Sequence, residues 1–285
     1  MRPNTSLSRL LIALALLPFI SATVWAQTIQ IHPLTGNPAL NIESPLWNSL
    51  SSTSVPLKSN SADYSTSIDQ VLIKAGHFDN QVFFYLEWHD DTEDLTHKPY
   101  VWDNQQQRYI QGTKREDRLA LQFEISGEFD ADWISGKEFI ADMWHWKSYR
   151  SNSLGLAHDK LTQISKSSLL RSHRATSRDG TPLYLLRPSD AGNPLYTSQR
   201  YRHYSADEMP KYKLLDNASG SVTDIKANGI WKKGRWQLIM SRQLNTGHSD
   251  DVVFELGKKV RGGIAIFDHS ENHQHMVSET LNFQF

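Results

Sequence analysis

The chain of 285 residues has no cysteine. Disulfides therefore contribute nothing to its stability, and thiolate zinc sites and iron–sulfur clusters are excluded. Covalent haem attachment is excluded too, because it needs a C-x-x-C-H sequence. Any metal or haem must be held by His, Met, Lys, Tyr, Asp or Glu. Charge of one sign is also lacking. With 30 basic and 31 acidic residues the net charge is −1, which suits neither a nucleic-acid surface nor a polybasic membrane anchor. Beyond the first 26 residues no segment approaches the ~18 consecutive apolar residues of a membrane span. Serine elbow, His-Glu-x-x-His and phosphate-loop signatures are all missing, so nothing marks the chain as a catalyst on its own.

What is present begins with an address. Arg2 and Arg9 precede an apolar run over residues 10–20, and Val24 and Ala26 stand at the −3 and −1 positions of a cleavage site. This is the pattern of a secretory signal peptide over residues 1–26, cut after Ala26. Its arginines are not adjacent, which argues against twin-arginine export. The remainder, residues 27–285, is expected to be a single exported domain without a membrane span.

No helical period is sustained anywhere, whereas period-two alternation recurs. Residues 69–77 and 81–89 read as a hairpin joined by Phe78-Asp79-Asn80, and apolar alternation returns at 119–126, 221–231, 235–244, 264–268 and 280–285. Residues 252–256 read as a further short apolar strand. The charge run 114–118 reads as a solvated turn. Residues 151–217 are polar and aperiodic, and are expected to form a loop-rich excursion with one short helix, covering one end of the fold. The whole predicts an all-β, antiparallel β-sandwich.

Three stretches carry candidate chemistry. In 138–150 (EFIADMWHWKSYR), strand alternation puts Met143, His145 and Lys147 on one face and Trp144 and Trp146 on the other. The first face offers a thioether and an imidazole as ligands; the second offers two aromatic walls or simply core. In 89–94, Asp90, Asp91, Glu93 and Asp94 form either a calcium loop or a solvated acidic turn. In 269–276, His269, His273, His275 and Met276 form a potential metal loop. The excursion adds His158, His173 and His203, and five arginines (171, 174, 178, 200 and 202) suited to an anionic ligand or to plain solvation.

Together VFFYLEWHDDTED, EDRLALQFEIS, ADMWHWKSYRSNSLGLAHDK, GIWKKGRWQLIMSRQLNTG and VVFELGKKVRGGIAIFDHSENHQHMVSE resemble the haem-binding γ-subunit family of ethylbenzene dehydrogenase and its dimethyl-sulfide and chlorate counterparts. The resemblance implies a sandwich of the carbohydrate-binding-module and DOMON type, holding one non-covalent haem b between its sheets. It also implies a periplasmic electron-transfer module whose partner is a molybdoenzyme or a c-type cytochrome. Family members use Met and Lys as axial ligands. Here His275 stands where the family places its lysine, and His145 or Met143 is the candidate opposite. The expected pair is His145 and His275, with Met143 and Met276 as alternates. Trp144 and Trp146 are expected to wall the pocket or brace it, and Lys147, Arg150 or an arginine of the excursion to neutralise the propionates. A second reading is a non-redox sandwich that binds carbohydrate through Trp88, Trp102, Trp144 and Trp146, with a structural Ca²⁺ at the acidic loop.

Overall fold

Two facing sheets carry the fold, each built from the alternating stretches of the sequence. The computed structural model describes residues 26–285; the expected leader, apart from Ala26, lies outside the described residues. The larger sheet runs, edge to edge, through Thr28–Gln30, Leu281–Gln284, Lys259–Phe267, Arg118–Gly127, Phe139–Lys147, His158–Ser165, Pro182–Leu186 and His173–Thr176. Met276–Val277 pairs beside Lys259–Phe267, and Lys58–Ser59 beside Met276–Val277. The smaller sheet runs through Lys226–Trp231, Arg235–Gln243, Gln81–His89, Gln70–Phe78 and His32–Pro33, with Thr53–Pro56 also on Gln70–Phe78. Pairing is antiparallel except at two short strands, Thr28–Gln30 and His32–Pro33, which join in parallel. The chain is thus an all-β sandwich, as the alternation predicts.

Between the sheets lie Phe84, Leu86, Trp88, Trp236, Leu238 and Met240 from one side and Leu121, Phe123, Trp144, Trp146 and Ile264 from the other. Trp146 meets Trp88 edge-on at 6.0 Å and Trp236 at 4.9 Å. Each fully buried aromatic contributes at least ~2 kcal/mol by leaving water, so this girdle is a main source of stability. The Gln70–Phe78 and Gln81–His89 hairpin closes with Phe78 opposite Gln81. Asp79 takes positive φ at the turn, a conformation that Asp tolerates better than most residues.

The structure corrects three expectations. Residues 115–118 are not a solvated turn: Arg115, Glu116, Asp117 and Arg118 are all buried. Their charges are matched inside the protein, Glu116 accepting from the Tyr149 and Arg150 amides at 2.9 Å each. Residues 252–256 are not a strand but an irregular segment that drops Phe254 into the core. The excursion 151–217 holds no α-helix among the described residues. It contributes a 3₁₀ turn, Asn152–Leu154, and six strands, the first of which (His158–Ser165) pairs along Phe139–Lys147. That strand was hidden because buried polar residues, His158, Asp159 and Thr162, occupy positions where an apolar pattern was sought.

Candidate functional site

The outer face of the larger sheet, opposite the tryptophan girdle, gathers Met143, His145 and Lys147, with His275 beside them. Register places His158, His145, Ala120, Ala265 and Val277 in one row across five strands. The next row carries Lys147, Arg118 and Phe267. Side chains two apart on a strand share a face, so both rows present to the same side, with Met143 clustering beside Ala120 and Phe267. His275 sits next to Phe267 because Met276 pairs with Ile266.

The two histidines singled out from the sequence flank one ring. His145 lies 5.9 Å from Phe267 and His275 lies 4.7 Å from it, both tilted. Nε2 of His145 and Nδ1 of His275 are buried without a hydrogen-bond partner. A buried polar nitrogen without a partner carries a desolvation cost of about 1–3 kcal/mol. Burial first, and then Lys147 and Arg118, hold His145 well below its ordinary pKa. Burial and Arg118 lower His275 to about 4. Both imidazoles are therefore neutral near pH 7 and keep a lone pair for a metal.

Cations frame this pair. The Arg118 guanidinium stacks 4.3 Å from the Phe267 ring and donates to Asn272 Oδ1 and the Ser270 carbonyl, each at 2.6 Å. Lys147 Nζ meets His158 Nδ1 at 2.7 Å. Its pKa lies well below the ordinary lysine value, chiefly through burial and then through Arg150. Arg187, over the Trp133 ring at 5.3 Å, lowers His275 further.

Other expected residues fall elsewhere. Trp144 and Trp146 point away from the histidines into the interior, so they back the sheet rather than face its outer side. The space between the sheets is filled by side chains, and the histidine pair lies outside it. Met276 also turns inward. Arg150 is committed to Glu116 at 2.5 Å and lies between the Tyr196 and Tyr212 rings. Of the excursion arginines, 171, 174, 178, 200 and 202 are all exposed. His269 and His273 are exposed as well.

The acidic loop divides. Asp91 and Glu93 are exposed, Asp91 lying 3.3 Å from His89. Asp90 instead converges with Asp117 and Asp268, and Asp94 with Asp117 and His269. Burial, and then Asp268, raises Asp90 to about 7; burial, and then Asp90, raises Asp117 to about 8. Of the four tryptophans expected as sugar platforms, Trp88, Trp144 and Trp146 are fully buried. Trp102 alone of them reaches the surface, packed against Tyr109 and Tyr204.

Sequence reasoning missed Arg118, Phe267 and Arg187. A signal existed for the first: if Leu119, Leu121 and Phe123 face inward, Arg118 and Ala120 must face the side that His145 occupies.

A family model described as ethylbenzene dehydrogenase matches residues 44–278. No curated protein matches the chain. Among solved structures, it is similar to a family 9 carbohydrate-binding module from Caldicellulosiruptor kristjanssonii in complex with glucose. The identity is 8%, 90% of this chain and 85% of that one are covered, and the TM-score is 0.40. It is also similar to a protein from Bacteroides uniformis described by a carbohydrate-binding assignment, at 11% identity, 90% and 91% coverage and a TM-score of 0.42.

Proposed function

The chain belongs to the ethylbenzene dehydrogenase family, and on that premise we propose that it is an exported electron-transfer subunit holding one haem b. The observation that carries this reading is the pair of buried, unpartnered imidazole nitrogens on either side of Phe267. Two neutral imidazoles suit iron, and in a chain without cysteine the ligands must come from His, Met, Lys or Tyr. In this reading His145 and His275 would hold the iron, with Met143 the nearest alternate. Ala120 and Ala265, small residues in the His145 row, leave a flat floor for a planar group.

The surrounding cations suit its acidic edge. Arg118, Arg187 and Lys147 are the groups placed to meet two propionates, and binding an anion there would restore the charge that burial disfavours on Lys147. Phe267 lies beside both imidazoles, so a group held by the two of them would displace its ring. When bound, haem supplies a reversible one-electron couple. With both histidines holding the iron, the group would supply electron relay rather than substrate activation. His in place of Met lowers the potential. The leader-like residues 1–26 support a periplasmic address, and the family supports service to a molybdoenzyme or a c-type cytochrome.

The test is a visible spectrum of protein expressed with its own leader, oxidised and then dithionite-reduced, with a pyridine haemochrome assay. A sharp reduced α band with one extractable haem b per chain is expected. A protein that stays colourless after haem supplementation removes the reading.

A further inference from the structure

The inner side of the same two strands carries a second unusual cluster. Asp142, Asp159 and Asp251 are buried, and one carboxylate oxygen of each lies within 4.8 Å of the others. Asp142 follows from the inward face that it shares with Trp144, and Asp159 from its pairing opposite Trp144. Asp251 arrives from the loop after Arg235–Gln243. A fourth carboxylate, Asp190, comes from the excursion; it is 7% exposed, and its amide donates to the Asp159 carbonyl at 3.3 Å.

The partners of these groups do not balance them. Arg242, fully buried, reaches Asp142 Oδ2 at 2.5 Å and Asp251 Oδ1 at 3.0 Å. The Val252 amide donates to Asp142 Oδ2, the Lys160 amide to Asp159 Oδ1, and Thr246 Oγ1 to Asp251 Oδ2. Lys160 Nζ is spent on the Arg187 carbonyl at 2.9 Å. Four buried oxygens keep no hydrogen bond and no cation: Asp142 Oδ1, Asp159 Oδ2 and both oxygens of Asp190; Asp251 Oδ1 meets only the Arg242 guanidinium. Four carboxyl groups face one guanidinium, and isolated buried carboxylates are among the most costly groups to keep, so the cluster calls for a bound cation or for shared protons.

We propose that Asp142, Asp159, Asp190 and Asp251 form a buried calcium site. Calcium takes six to eight oxygens in irregular geometry, whereas magnesium demands a near-ideal octahedron and retains water. A buried, irregular set of carboxylates therefore fits the larger ion. The site ties the excursion, through Asp190, and the 244–252 loop, through Asp251, to the strands that carry His145 and His158 on their other face. It does not depend on the haem reading, and its test needs no haem.

The experiment uses full-length mature protein stripped with EDTA. Terbium stands in for calcium, and its luminescence is excited through tryptophan; Trp144 lies 5.1 Å from the Arg242 guanidinium that touches Asp142. Saturable luminescence, its competition by Ca²⁺, and a rise in Tm of about 5 °C with Ca²⁺ are expected. Asp190→Asn should weaken terbium binding roughly tenfold or more without loss of strand signal in circular dichroism. Asp251→Asn provides a second ligand deletion. Asp268→Asn, in the separate Asp90–Asp117–Asp268 cluster, should leave binding intact. Absence of any terbium or calcium response overturns the proposal and leaves shared protons as the balance of charge. Binding that survives both ligand variants but is lost in Asp268→Asn overturns it equally.

Discussion

At the scale of single residues, Phe267 is the side chain on which the outer face turns. It is buried and separates the two imidazoles. Phe267→Ala should cost the ligand-free protein about 3 kcal/mol, as buried aromatic truncations do, yet speed haemin uptake because the ring no longer has to move. Stopped-flow mixing with haemin, beside urea unfolding, checks both halves. Asp117 offers a pH test. Its carboxyl, raised to about 8 chiefly by burial, binds a proton in the folded state over a range where the unfolded chain has released it. The linkage sign is then fixed: stability is highest below pH ~4 for this group and is lost as pH rises toward 8. In EDTA, Asp117→Asn should flatten the fall in Tm between about pH 5 and 8; an unchanged slope would assign the fall to other carboxyls. At this scale the sequence was only half legible. His145 followed from alternation and His275 from the resemblance. Arg118 was hidden inside a run of charges that looked solvated, because nothing local reveals that Glu116 is there to neutralise Arg150.

At the scale of elements, strands that alternate cleanly were readable and strands built on buried polar groups were not. Gln81–His89 and Arg235–Gln243 pair over their full lengths, as their patterns predict. His158–Ser165 escaped because its inward residue Asp159 serves charge rather than packing. The join between excursion and sandwich rests partly on Asn152. Its Oδ1 accepts from Trp146 Nε1 at 2.9 Å and from the Gly229 amide at 2.7 Å, while its Nδ2 donates to the Gly229 carbonyl at 2.9 Å. Asn152→Ala leaves these groups without partners and should cost about 2–3 kcal/mol, read as a shift of the denaturant midpoint at constant m-value. Gly262 shows a different constraint. A Cβ there would stand 2.2 Å from the Gln122 carbonyl oxygen, which belongs to the neighbouring strand and cannot move freely. Gly262→Ala should destabilise by about 2 kcal/mol or more, with Gly257→Ala, where no atom obstructs a Cβ, as the strain-only comparison at positive φ.

At the scale of the whole molecule, the sandwich class was legible from period alone, and the family from five motifs spread along the chain. The placement of the histidine face was not. The resemblance put a haem between the sheets, but four large indoles, Trp88, Trp144, Trp146 and Trp236, already fill that space, and the paired imidazoles lie on the outer side. No local pattern states which of two faces a third layer will cover; that depends on where the excursion folds back. The two sides of the Phe139–Lys147 strand thus divide the work, with neutral imidazoles and cations outside and buried carboxylates inside. Haem loading and calcium binding should be separable, so Asp190→Asn is expected to leave haem stoichiometry unchanged when the protein is assayed at low temperature. The most direct measurement is electron paramagnetic resonance of the oxidised, haem-loaded protein beside His145→Ala and His275→Ala. A low-spin signal of two imidazole ligands in the parent, converted to high spin in each variant, is the predicted result. A low-spin signal unchanged in both variants would contradict the axial pair.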